Sequence, residues 1–84
     1  MAKTVVQRTQ TGVRIESSLL KVLKGLAEYT DLTLGDLLEG IVLHAFEGKA
    51  PFSAETRTVI QQLKVVYGCD LRAADSHQLT ESES

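Results

Sequence analysis

Only one stretch of this chain alternates apolar and polar residues, and the chain offers it no second strand to pair with. From Arg8 to Ile15 the odd positions Thr9, Thr11, Val13 and Ile15 fall on one side of an extended backbone. Arg8, Gln10, Gly12 and Arg14 fall on the other. Val13 and Ile15 mark the odd side for burial, which turns the even side toward solvent or a ligand. A lone edge strand exposes a row of unpaired backbone groups and is unstable by itself. The nearest expected partner is the same strand of a second copy, which predicts a homodimer. A hairpin turning at Thr9 to Gly12 is the second reading, but T-Q-T-G lacks the Asn-Gly or Asp-Gly signal of a tight hairpin.

The rest of the ordered sequence has helical spacing. Glu16-Ser17-Ser18 opens a first helix with a small polar residue available as N-cap, and Leu19, Leu20, Leu23, Leu26 and Ala27 form its apolar stripe. Lys21 and Lys24 fall off that stripe, and Gly25 lies inside the helix. A tight connection begins at Asp31. Thr33-Leu-Gly-Asp36 has the form of a capping box, with Thr33 as N-cap of a second helix. Leu34, Leu37, Leu38, Ile41, Val42, Ala45 and Phe46 give that helix a face too wide for one partner, which predicts burial on most sides and again a dimer core. Gly48 ends it. Ser53 caps a third helix over Ala54 to Tyr67, stopped by Gly68. Asp75 to Ser84 is polar and acidic and reads as disordered.

Eighty-four residues make one small domain whose core is marginal without a reinforcement. Cys69 is the only cysteine, so no disulfide supplies one, and no Cys/His spacing suggests zinc. Oligomerisation remains. The start of the chain has no apolar run of a signal peptide, no segment is long and apolar enough for a membrane span, and a cytoplasmic location is expected. The net charge of −2 argues against nucleic acid, but it is unevenly spread. Residues 1–24 carry +4, residues 25–48 carry −5, residues 49–72 carry +2 and residues 73–84 carry −3. The positive charge gathers around the proposed strand, where it can steer an anion to one face.

The V-R-I strand end, the L-L-K-V-L-K-G-L-A-E run, the short connection from Tyr29 to Leu32 and the Thr33-Leu-Gly-Asp36 cap together resemble the ribbon-helix-helix family of small dimeric regulators over about residues 9–48. The resemblance implies a mainly α fold with one short β-strand, in which strands of two chains pair antiparallel and enter the major groove, plus an extra C-terminal helix. It implies base contacts from Gln10, Gly12 and Arg14, and a phosphate anchored by Thr33 with the N–H groups of Leu34 and Gly35. Arg pairs bidentately with guanine and Gln with adenine, and a free helix N-terminus binds anions. Arg8 and Lys3 are expected phosphate contacts. Gly12 stands where the family commonly has a base-reading side chain, and Asp36 and Glu39 set negative charge beside the expected phosphate site.

The other constellations are weak. His44 and Glu47 have the spacing of a metal half-site, but two donors on one helix are better read as a solvated face. Cys69 has no neighbour placed to activate it. No phosphate loop, catalytic triad or paired carboxylates are present, so neither an enzyme nor a cofactor is expected. The expectation is a sequence-specific DNA-binding regulator of repressor or antitoxin type. Residues 1–48 form its dimerisation and DNA-binding unit, 49–68 a linker and third helix, and 69–84 an acidic tail. The third helix or tail is the expected place for any protein partner, a toxin or a regulator. A dimeric module that binds protein in place of DNA is the alternative.

Overall fold

The computed structural model describes residues 4–81, and its ordered elements are all helical. Helix α1 spans Ser17–Thr30, α2 Leu34–Phe46 and α3 Ala54–Tyr67, followed by a single 3-10 turn at Ala73–Asp75. The expected β-strand is not formed, and with it the ribbon-helix-helix fold class is corrected. Residues 4–16 are without helix or strand, and 4–15 make no backbone hydrogen bond to another segment among the described residues. The two-residue alternation is compatible with an extended backbone, but a strand exists only where another strand supplies hydrogen bonds. This chain has one such segment. Val13 is accordingly 73% exposed, contrary to the buried odd face, and only Ile15 is half-buried.

Each helix start is fixed by a side-chain cap. Thr33 Oγ1 accepts the Asp36 N–H at 3.1 Å, and Ser53 Oγ accepts the Thr56 N–H at 3.1 Å. The cap of α1 is Glu16 and not one of the serines: its Oε1 accepts the Leu19 N–H at 2.9 Å and the Ser18 hydroxyl at 2.6 Å. These donors hold the Glu16 carboxyl below its ordinary range. Every α-helix stops in the same way. The N–H groups of Leu32, Lys49 and Cys69 reach back five residues to the carbonyls of Ala27, His44 and Lys64 at 2.9, 2.8 and 2.8 Å. The residue before each has a left-handed backbone, at Asp31, Gly48 and Gly68. Asp31 accepts that conformation at some cost, which Gly avoids.

Helix α1 is the centre of the fold, packing closely on α3 and more lightly on α2, while α2 and α3 do not touch closely. Val22, Leu26 and Ala27 of α1, Leu37 of α2 and Cys69 are the buried apolar residues. Leu23, Ile41, Phe52, Ile60 and Leu63 pack around the cluster of Leu26, Ala27 and Leu37. The burial expected for α2 is not found within one chain. Leu37 alone is buried, and Phe46 is 82% exposed.

Gly25 lets α1 and α3 approach. A Cβ built there would stand 3.1 Å from Leu63 Cδ2 and 3.6 Å from Tyr67 Cε2, whereas one at Gly40 of α2 would meet nothing within 4 Å. Two glycine substitutions should therefore move stability in opposite directions. Gly25→Val overpacks the contact and is expected to cost about 1–3 kcal/mol. Gly40→Ala is expected to add about 0.5–1 kcal/mol through helix propensity. Urea unfolding of both variants measures the difference, and a neutral Gly25→Val would contradict the close approach.

Candidate nucleic-acid interface

The N-terminal arm, residues 4–16, runs beside the start of α2. Gln7 to Val13 on the arm line one open groove with Leu20 of α1 and with Thr33 to Asp36, Leu38 and Glu39 of α2. The structure thus brings most of the expected contacts to one place. Gln10 and Gly12 are exposed, with no hydrogen bond from the Gln10 side chain among the described residues. Thr33 and Gly35 are exposed and Leu34 is half-buried. The Leu34 and Gly35 N–H groups belong to the first turn of α2, where no intrahelical acceptor exists. Such groups can receive an anion's oxygen. Lys3 lies outside the described residues.

The two arginines of the arm are already paired. Arg8 donates from Nε and Nη2 to the two carboxylate oxygens of Glu39, both at 2.9 Å, and Asp36 Oδ1 stands 3.5 Å from the same Nη2. This fork raises the Arg8 guanidinium above its ordinary pKa, chiefly through the Glu39 hydrogen bond, and holds the Glu39 carboxyl below 4.5. Asp36 therefore serves the arm: its N–H completes the Thr33 cap while its carboxylate faces Arg8. Arg14 donates from Nε to Glu81 Oε1 at 3.2 Å and from Nη2 to Glu81 Oε2. Both pairs are exposed to solvent, where ion pairs contribute little to stability and are screened by salt.

Sequence reasoning placed Arg8 and Arg14 on the open side of the arm but missed their partners. Glu39 is 31 residues from Arg8 and Glu81 is 67 from Arg14, too far for any local spacing to reveal. The only available signal was the alternation of charge along the chain, with a basic start facing an acidic middle and end.

His44 Nδ1 donates to the Gly40 carbonyl at 2.7 Å and Glu47 pairs with Lys49 at 3.3 Å, so both members of the expected bland pair are engaged locally. Cys69 is buried with its thiol free. Among the described residues, no three His, Cys, Asp or Glu side chains gather to hold a metal, and no helix is long and apolar enough to cross a membrane.

The Arg8 pair has a measurable pH signature. Because its folded pKa is lowered, Glu39 contributes stability above its unfolded value, and that contribution is lost as pH falls through the lowered pKa. Titration of the Glu39 carboxyl carbon by NMR should give a midpoint below 4.5 that rises in Arg8→Ala. A midpoint at 4.5 or above would show that the fork does not persist in solution.

No family model, curated protein or solved structure matches this chain.

Proposed function

We propose that the protein is a DNA-binding regulator of repressor or antitoxin type, acting as a homodimer whose arms contact the duplex. The observation that carries this reading is the arm itself: Gln10 and Gly12 share a groove with the first residues of α2, and Arg14 follows at the next alternate, exposed position, beside residues 79–81. Arg14 and Gln10 have the donor geometry that reads base edges, and Gly12 lets the backbone come close to the nucleic acid. Arg8, Thr33, Leu34 and Gly35 serve phosphates, through a guanidinium, a hydroxyl and two backbone N–H groups.

The dimer rests on α2. Leu38, Val42, Ala45 and Phe46 recur along one side of it, and Val42 and Phe46 are exposed. Covering a side chain of this size is favourable by roughly 1.5–3 kcal/mol. A second copy brings the same surface to meet it, as a twofold interface requires. Two arms then act together, so that the number of phosphate contacts is doubled without new chemistry and their free energies add.

A second reading is favoured by the outer surface of α3, where Val65 and Val66 are exposed beside Tyr67. In that reading the dimer binds a protein through α3 in place of DNA. The two readings differ in their response to salt. DNA binding releases counterions and weakens steeply as salt rises, whereas an apolar protein interface does not.

Arg14→Ala is expected to lower discrimination between preferred and random duplexes by about 1–3 kcal/mol per contact. A gel-shift selection on the folded variant measures it. Unchanged preference would remove Arg14 from the reading role.

A further inference from the structure

We infer that the acidic C-terminal tail is an intramolecular competitor of nucleic acid for Arg14. The inference rests on the DNA-binding reading above and adds a regulatory element to it. Glu81 presents two carboxylate oxygens to the Nε and Nη2 of Arg14, the same pair of donors an arginine offers to a phosphate or to the edge of a guanine. A single guanidinium fork cannot serve both partners at once.

The surroundings of the pair fit a displaceable element. Leu79, Thr80 and Glu81 lie along Arg14 to Ser17, at the junction of the arm and α1. Backbone and side-chain bonds of Gln78 stay local, to Asp75 and Ala74. The Arg14 pair is therefore the only side-chain hydrogen bond that ties residues 79–81 to the body among the described residues. Both partners are largely exposed, at 83% and 67% of their side-chain surface, so the pair is weak and a polyanion of higher charge density can replace it.

Arg8 provides an independent parallel. Its Nε and Nη2 make the same bidentate contact with Glu39, from a different element. Each arginine of the arm thus has a carboxylate where a nucleic-acid oxygen would stand. Residues 79–81 differ from α2 in one respect that matters for regulation: they lie outside every helix, so they can leave without disturbing one. When they leave, Arg14 is freed and the local negative charge at the arm falls.

The test is a double-mutant cycle in the full-length chain, using parent, E81Q, R14A and E81Q/R14A. Binding to a random-sequence duplex is read by fluorescence anisotropy at low and at physiological ionic strength. E81Q is expected to bind roughly two- to fivefold more tightly per chain than the parent at low salt, with the gain shrinking as salt rises. In the R14A background the substitution is expected to produce little or no gain. Equal binding by parent and E81Q overturns the competitor role and leaves the DNA-binding reading standing. A gain of the same size with and without Arg14 also overturns it, because the effect is then general charge removal. If none of the four proteins binds DNA, both readings fall.

Discussion

The packing of α1 against its two neighbours is the contact on which everything else in this molecule depends. Leu26 is 2% exposed and meets Ala27 and Leu37 in the innermost cluster, while Gly25 on the adjacent position admits Leu63 of α3. The backbones of α2 and α3 stay apart, so α1 is the element that both pack against, with Phe52, Ile60 and Leu63 completing the cluster around Leu37. Helix α1 therefore sets where the start of α2 stands relative to the arm that leads into α1. The arm and the capped N-terminus of α2 become neighbours because Leu37, in the first turn of α2, is buried against Leu26 and Ala27 of α1.

That economy has a consequence. One helix serving two partners leaves much apolar surface on those partners unused. A small domain buries a limited fraction of its surface in any case. Here the unused part is concentrated at the end of α2, with Phe46 82% exposed, and on the outer side of α3. A soluble monomer seldom keeps large apolar residues clustered in this way without a partner. In the dimer proposed above, these apolar residues would be covered by a second copy.

Much of the helical architecture was legible because its signals are local. Thr33 and Ser53 mark helix starts and Gly48 and Gly68 mark stops, through bonds that span three to five residues of sequence. Apolar spacing gave the inward direction of Leu26 and Ala27, but the expected stripe of α1 left out Val22, which is 4% exposed, and included Leu19, which is 39% exposed. Glu16 was missed as a cap because its longer side chain is a less usual choice than the serines beside it. The strand was over-read for a different reason: alternation reports which way side chains point, whereas strand formation depends on a partner that local sequence does not specify. The ion pairs of Arg8 and Arg14 were hidden by distance along the chain. Their exposed side of the arm was readable; the acids waiting there were not.

The central claim is that the apolar side of α2 joins two copies of the chain and so presents two arms together. Sedimentation velocity at micromolar concentration tests it most directly, with the parent chain run beside Phe46→Asp. The account predicts that the parent sediments as a dimer and the variant as a folded monomer with unchanged helical circular dichroism. A parent chain that sediments as a stable, folded monomer would contradict it.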